Sequence, residues 1–360
     1  MVQSPIGIGV IGTGFGEKIH IPGFQTHPEA HLVAVYNRNP QKAEAIASKY
    51  QIPNACSSVA DLLAIPEVQA VSIATPPFVH YEMAKQVIEA GKHLLIEKPT
   101  TLNAGEAKEL LDLAIAKNLV TCLDFEFRYV PAWMRLAELL DDGYVGKKRF
   151  IKVDWLASGR ANPERAWNWY ARRDLGGGAL GAFGSHTFDY LAWLFGPVSR
   201  LCGSFSTGIT ERPDPQSGEM KPVDSDDTCR IWLDMADGTP CQVLLSSVTY
   251  QGRGHWVEVY GDRGTLVLGS DNQNDYVHGF RLWGSQDGKP LEEMSIPQRL
   301  QFGQTYPDGR LAPFIRVVDH WLQDIAQGKS TAPCLEEGLY SQRLMDLTHA
   351  SNQQQAWVNI

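Results

Sequence analysis

The sequence has no uninterrupted apolar run of 18 residues, no basic patch or basic domain, and no Cys-x-x-C pair. Each absence removes a class of function. Without the long apolar run a membrane-spanning helix is not expected. A formal charge of −9 spread over both halves argues against a nucleic-acid binder or a membrane-surface protein, which needs a basic face. The six cysteines, Cys56, Cys122, Cys202, Cys229, Cys241 and Cys334, stand far apart, which suits reduced, buried thiols better than a disulfide framework or a zinc site. Met1-Val2-Gln3-Ser4-Pro5 lacks the basic and apolar stretches of a signal peptide, so a cytoplasmic location is expected. No His-Glu-x-x-His, Gly-x-Ser-x-Gly or P-loop occurs, and metallopeptidase, serine-hydrolase and P-loop chemistry are set aside. Tryptophan is missing before residue 133, and of 18 arginines only Arg38 precedes residue 126. A chain of 360 residues suits two domains of roughly 100 to 200 residues each, and the uneven composition predicts that they are built differently.

The first third alternates strand and helix. Residues 5–11 are an apolar run that breaks into Gly12-Thr13-Gly14-Phe15-Gly16. Further strands are predicted over 31–36, 68–74, 93–97 and 120–127. Helices are predicted after Asn39-Pro40, over 78–90 before Gly91, and from Asn103 with Glu106 in capping-box spacing. Apolar strands separated by helices of 10 to 15 residues imply right-handed crossovers and a doubly wound parallel sheet. After Pro131 opens one more helix, short strands follow one another over 150–157, 201–206, 229–235, 240–248, 256–260 and 265–268. That pattern predicts a mostly antiparallel open sheet. Residues 207–226, rich in Pro, Ser, Gly and Asp, read as an exposed loop, and two late helices follow, one carrying the stripe Phe314, Val317, Val318, Trp321 and Ile325. The fold class is therefore α/β plus α+β: a Rossmann domain over 1–125 and a substrate-binding and oligomerisation domain over 126–360.

A dinucleotide pyrophosphate needs a strand-to-helix turn that its backbone can approach closely, ending on the free N–H groups of a helix. Gly12-x-Gly14 supplies one, although the third glycine of the Gly-x-Gly-x-x-Gly pattern would be Glu17 and Gly16 is one residue early. A second match, Gly7-x-Gly9-x-x-Gly12, lies inside the strand, where no phosphate loop forms. Members that bind NAD usually carry an acidic residue at the end of the second strand. Here the strand ends in Tyr36-Asn37-Arg38 with no acidic residue between Glu29 and Glu44, and a guanidinium at Arg38 can pair with a 2′-phosphate. NADP is favoured, with NAD as the alternative.

His93-Leu-Leu-Ile-Glu97-Lys98-Pro99 places a lysine at the carboxyl end of a parallel strand, where open α/β sheets bind ligands. A lysine shielded there can act as a general acid or base, and Pro99 fixes the backbone beside it and permits a cis bond. An exposed, salt-bridging Lys98 is the competing reading. Glu97-Lys98-Pro99, Gly12-Thr13-Gly14-Phe15-Gly16, Ala74-Thr75-Pro76-Pro77 and His80 together make the chain resemble the Gfo/Idh/MocA oxidoreductases, the family of glucose-fructose oxidoreductase and inositol dehydrogenase. The resemblance continues through Gly176-Gly177-Gly178, Gly184-x-His186, Asp189, Ser225-Asp226-Asp227, Gly261-x-x-Gly264-Thr265-Leu266 and Glu337-Gly338. It implies that Lys98 is the catalytic lysine and that Thr75, Pro76, His80 and Glu97 join the glycine turn, Asn37 and Arg38 at the cofactor. It also implies a second domain that forms dimer or tetramer contacts. The family's Gly-x-x-x-Asp-x-Gly-x-His, read from Gly178, gives Ala182 for the aspartate and His186 for the histidine, so proton transfer shared among Lys, Asp and His lacks its middle member.

Between these elements, residues 160–173 hold three aromatics and four arginines, a surface suited to a polyhydroxylated ring, with Arg160, Trp167, Trp169 and His186 as substrate candidates. The competing reading is core packing and solvated charge. The function expected is hydride transfer between the nicotinamide and a secondary alcohol carbon of a sugar, sugar acid or polyol. The alternatives are a nonenzymatic NADP-binding sensor of the same fold, or a reductase of a non-sugar substrate such as a linear tetrapyrrole or a dihydrodiol.

Overall fold

The computed structural model describes residues 5–272 and 278–360. Met1–Ser4, read above for a targeting signal, lies outside the described residues. Two compact units emerge, one from Met1–Glu126 with Arg310–Gln342, the other from Phe127–Gly309 with Arg343–Ile360. The expected division after residue 125 assigns 310–342 to the second domain, but these residues pack with the first. The physical reason is the buried stripe on the late helix, which meets the region following the glycine turn.

In the first unit the strands are β1 (Ile6–Ile11), β2 (Ala30–Tyr36), β3 (Asn54–Cys56), β4 (Ala70–Ile73), β5 (His93–Ile96) and β6 (Thr121–Leu123). They form a six-stranded sheet in the order β3-β2-β1-β4-β5-β6, parallel throughout. Its helices are α1 (Ile21–Thr26), α2 (Pro40–Tyr50), α3 (Val59–Leu63), α4 (His80–Glu89) and α5 (Ala104–Ala116). Asn39 caps α2 by accepting from Lys42 N, and Asn103 caps α5 by accepting from Glu106 N while Glu106 returns to Leu102 N at 3.1 Å. β3 and α3 are too short for a periodic signal and were not expected. The strand expected over 120–127 stops at Leu123, because the chain turns into a short 3₁₀ segment at Glu126–Tyr129.

The second unit opens with α6 (Pro131–Asp141), β7 (Lys148–Leu156), α7 (Ser185–Phe195) and β8 (Val198–Ser206). A hairpin of β9 (Glu211–Pro213) and β10 (Met220–Pro222) follows, then β11 (Thr228–Met235), β12 (Pro240–Ser246), β13 (Gly254–Gly261), β14 (Gly264–Ser270), β15 (Arg281–Gln286) and β16 (Glu292–Glu293). α8 (Leu311–Gln327) belongs to the first unit, α9 (Leu335–Gln354) is divided between the two, and β17 (Val358–Asn359) ends the chain. The nine-stranded sheet runs β16-β15-β14-β13-β7-β12-β11-β8-β17, with β7 and β12 parallel and the other pairs antiparallel. The segment 207–226 is exposed over 215–220, as its composition predicts, but it is not a plain loop: it contains the β9-β10 hairpin, and Arg212, Asp214, Ser225 and Asp226 are buried. Turn-forming residues mark where a chain bends, and the bend here folds back onto the unit. Five of the six cysteines are buried and Cys202 is half-buried. Among the described residues no helix is long and apolar enough to cross a membrane.

The register of the large sheet separates two faces. Trp232, Gln242, Lys152 and Glu258 are successive cross-strand partners and so lie on one face, as do Trp256, Tyr260 and Trp283 by alternation and pairing. The opposite face carries Trp155, His255 and Val257, which are buried. His255 stacks on Trp155 with ring centroids 4.0 Å apart, Nε2 lies 3.1 Å from the Tyr190 hydroxyl, and Nδ1 has no partner among the described residues. Burial pushes this imidazole down to about 3. As the pH falls below about 6.5, the unfolded chain therefore binds a proton that the folded one refuses. The stability contribution is whole above that pH and is lost on the way down, at about 1 kcal/mol per pH unit for this group. Burial shifts His80, His93 and His349 the same way. His255→Phe is expected to flatten the acid limb of the urea-unfolding free energy between about pH 6 and 5 by about one proton. An unchanged slope would contradict the burial of a neutral ring.

Candidate functional site

The glycine turn follows directly from β1. Gly12 has φ +101°, and a Cβ there would stand 2.7 Å from the carbonyl of Ala74, so both conformation and space demand glycine. Around Gly14 a Cβ would meet nothing within 4 Å, so its backbone faces open space, as a phosphate cradle requires. Gly16 opens a five-residue π-helical turn, Gly16–His20, and faces the sheet at Val10 and Ala74, while Glu17 turns away to Lys49. The displaced third glycine is thus the residue that packs helix on strand. Gly7 and Gly9 are confined by Glu67 and Leu62 inside the sheet, and the competing glycine match forms no loop.

At the end of β2, the Asn37 side chain donates to the Thr13 hydroxyl and accepts from Asn39 N at 2.8 Å, tying the turn to the start of α2. Arg38 is exposed and forms no ion pair among the described residues. Thr75 and Pro76 follow β4 half-buried, and Phe15 lies beneath the Arg310 guanidinium, 5.1 Å from the ring centroid. His80, expected at the cofactor, is instead fully buried with Nε2 2.8 Å from Thr75 O and Nδ1 2.9 Å from Pro99 O. It clamps the loop after β4 to the loop after β5. Its burial lowers the pKa against those two carbonyls, which favour the protonated ring.

Lys98 stands half-buried at the carboxyl end of β5, and the Lys98–Pro99 bond is cis. Glu97 is buried just before it, accepting from Lys98 N at 3.2 Å and lying 3.1 Å from His20 Nε2. With a proton on Nε2, His20 donates to Glu97 and accepts from the Ser72 hydroxyl at 2.7 Å through Nδ1. Its ring stacks on Phe314 of α8 at 4.3 Å, and Gly23 leaves room for that phenyl, since a Cβ would come within 2.5 Å. Asp124 Oδ2 is 3.7 Å from His20 Nε2, and Asp124 Oδ1 is buried without a partner among the described residues. Burial pushes the Glu97 carboxyl up, but the bond from His20 and the charge of Lys98 outweigh it, and Glu97 is held below its usual value. Burial and the neighbouring Glu97 charge raise Asp124 well above its own. The two carboxyls are thus pushed in opposite directions by the same cluster. His20, Glu97 and Asp124 converge closely enough to offer three metal donors, and the His20–Glu97 bond ties two of them into a hydrogen-bond cluster. Sequence reading missed His20, Ser72 and Asp124; the only signal was a polar residue inside each apolar segment.

In the second unit, Gly177 and Gly178 pack where a Cβ would strike Tyr170 O at 2.2 Å and Asp226 Oδ1 at 2.5 Å. Asp226 Oδ2 accepts from Leu180 N at 2.8 Å and so holds the π-helical turn Leu180–Gly184, on which Ala182 is half-buried. His186 follows in the first turn of α7, buried, edge-on to Phe127 at 4.8 Å. Asp189 on the same helix forms a two-pronged ion pair with Arg128, at 2.6 and 3.0 Å, and is a brace. Arg160 lies over the Tyr170 ring, Trp167 donates through Nε1 to Pro222 O at 3.0 Å, and Trp169 is half-buried against Tyr170. Each unit thus gathers its own share of the predicted residues: the turn, Asn37, Thr75, Glu97 and Lys98 in the first, Arg160, Trp167, Trp169 and His186 in the second.

Comparison with known proteins accords with this geometry. Residues 6–125 match the model of the oxidoreductase family, NAD-binding Rossmann fold, and residues 137–360 that of the same family's C-terminal alpha/beta domain. An uncharacterised oxidoreductase of Synechocystis sp. is 52% identical over 362 residues, covering 100% of this chain and 98% of its own. Levoglucosan dehydrogenase of Pseudarthrobacter phenanthrenivorans is 26% identical over 99% of this chain and 98% of its own. A solved levoglucosan dehydrogenase in complex with NADH and L-sorbose shares the fold, with TM-score 0.87 at 23% identity over 99% of this chain and 98% of that one. The chain is an oxidoreductase with an NAD-binding Rossmann domain, a member of the Gfo/Idh/MocA family.

Proposed function

We propose that this oxidoreductase is an NAD(P)-dependent dehydrogenase that oxidises a secondary alcohol carbon of a sugar-like substrate, or runs the reverse reaction. The observation that carries the reading is Lys98, half-buried at the end of β5 beside the ionised Glu97, in the unit that holds the open glycine turn. The levoglucosan dehydrogenase relative supports a sugar as the substrate class. The nicotinamide supplies the hydride chemistry when bound. Lys98 exchanges the proton of the reacting hydroxyl, and His186 binds or orients a substrate hydroxyl. Glu97 stays charged because His20 donates to it, which places a carboxylate next to the lysine in the chain. Thr13, Asn37 and Arg38 line the turn on the ribose side, and Arg38 supports NADP over NAD.

A second reading, a nonenzymatic NADP-binding sensor, is favoured by one feature: Ala182 stands where the family pattern has an aspartate. A screen of sugars, sugar acids and polyols for NADP and NAD reduction at several pH values, with binding measured in parallel, separates the two. Ligand binding without any turnover would favour the sensor.

Lys98→Met is expected to lower kcat at least ~100-fold while nicotinamide-cofactor binding, followed by fluorescence, persists; undiminished turnover would remove Lys98 from the reaction. Arg38→Ala should lower the NADP-to-NAD ratio of kcat/KM at least ~10-fold; a ratio that does not move would leave the preference without its guanidinium. The same reading includes self-association as a homodimer or homotetramer. It is supported by the sheet face on which Trp232 and Tyr260 stay exposed and Trp256 stacks on Trp283 at 5.6 Å. Trp232→Arg is expected to shift the light-scattering mass toward the monomer, and an unaltered mass would place the contact elsewhere.

A further inference from the structure

The second unit gathers guanidinium groups without gathering carboxylates to match them. Arg160, four residues past β7, lies with Cζ 3.2 Å from the centroid of the Tyr170 ring. Arg212 on β9 is 5% exposed and donates to Asn162 O at 2.8 Å and to Arg160 O at 2.6 Å. Arg165 donates to Gly159 O at 2.6 Å. The partners are the Tyr170 side chain and backbone carbonyls, which satisfy N–H groups but neutralise no charge. Among the described residues none of the three forms an ion pair. Neighbouring cations do: Arg172 pairs with Asp174, Lys221 with Asp214 and Arg128 with Asp189.

The three charges act on one another. Burial is the main cause that lowers Arg160, to about 10, and Arg165 and Arg212 lower it further. Arg212 is lowered by burial and by Arg165, with Asp227 opposing. Asp227 is itself engaged, its Oδ2 accepting from Gly208 N at 2.6 Å and Ile209 N at 3.0 Å. With no carboxylate paired to these guanidinium groups among the described residues, the cluster gathers positive charge in a partly dehydrated place. Such a charge is costly to hold without a counter-ion, and an anion that enters recovers the cost as affinity. The forked donors of arginine match the two oxygens of a carboxylate.

Two links run from the cluster toward the segment that carries the histidine named above. The Trp155 ring lies 6.1 Å from that of His186, and Arg160 follows five residues later, its N–H on Ser247 O at 2.9 Å. Tyr170 O accepts from the Ser225 hydroxyl at 2.8 Å, and Gly177 packs against that same carbonyl at the entry to the segment that carries Ala182 and His186. We propose that Arg160, Arg165 and Arg212 form an anion-recognition subsite that selects a sugar acid, by its carboxylate, over the corresponding neutral sugar or polyol. That the anion belongs to the substrate rests on the dehydrogenase reading; the anion site itself does not.

The test is calorimetric titration of the full chain, with and without NADPH, using acid and neutral pairs: D-gluconate against D-sorbitol, D-glucuronate against D-glucose, D-galacturonate against D-galactose. In at least one pair the acid is expected to bind at least ~10-fold more tightly, with the margin shrinking in about 0.5 M NaCl. Arg160→Gln and Arg165→Gln should each cut that margin at least ~5-fold, with thermal melts reporting that both variants fold. Arg165 is exposed and holds a single carbonyl, so its replacement keeps the test independent of folding. Equal affinities in every pair, no binding of any acid, or a margin that both substitutions leave intact would overturn the proposal, as would tighter binding of D-glucose 6-phosphate than of every acid. Failure of the dehydrogenase reading shows separately, as tight acid binding without any NAD or NADP reduction.

Discussion

The charge on Glu97 is a constraint that organises the first unit. A carboxylate buried at the end of a parallel strand must find compensation, because desolvation alone would protonate it. The compensation comes from every side of the sheet end: His20 from the turn after the glycines, Ser72 from β4, Lys98 from the next position in the chain, and Asp124 from just past β6. His20 in turn is held flat against Phe314 of α8, which approaches only because residue 23 is glycine. A helix more than 180 positions later in the sequence than the sheet end it serves thereby becomes part of the cofactor unit.

The same economy of charge distinguishes the two units. In the first, burial and the Glu97 charge push Asp124 up while Glu97 is held down, so the two adjacent carboxyls do not compete for the same charge state. In the second, positive charge accumulates at Arg160, Arg165 and Arg212, held by carbonyls and a ring face. Buried acids there are committed elsewhere: Asp226 to the amide of Leu180, Asp189 to Arg128. The aromatic residues that composition concentrates in this unit divide between a buried floor, where Trp155 and His255 stack, and the opposite face, where Trp232 stays exposed.

Much of the framework was legible in the chain. Period and capping located α2 and α5, because Asn39 and Asn103 act on residues three positions away, and local effects of that kind need no tertiary context. The glycine turn was legible because β1 ends abruptly at Gly12. The role of Gly16 was not, since a glycine one residue early fits only when the helix is seen to open with a π-helical turn. His80 could be picked out by resemblance, but not that both ring nitrogens would be taken by backbone carbonyls. The hairpin within 207–226 and its buried members were not legible, because turn residues report bending and carry no information about what the bend folds against.

By itself the sequence determined the strand and helix alternation, the antiparallel second sheet, the glycine turn, Lys98 at a strand end and His186 after the glycines. These depend on periodicity, on steric demands of single residues and on short spacings. Tertiary structure alone decided that α8 joins the first unit, that His20 and Asp124 share the fate of Glu97, and that Arg212 comes to Arg160 from 52 residues away. The reason is physical: pairing and burial of charge depend on distance in space, and a folded chain brings together groups whose separation along the sequence says nothing about their energy.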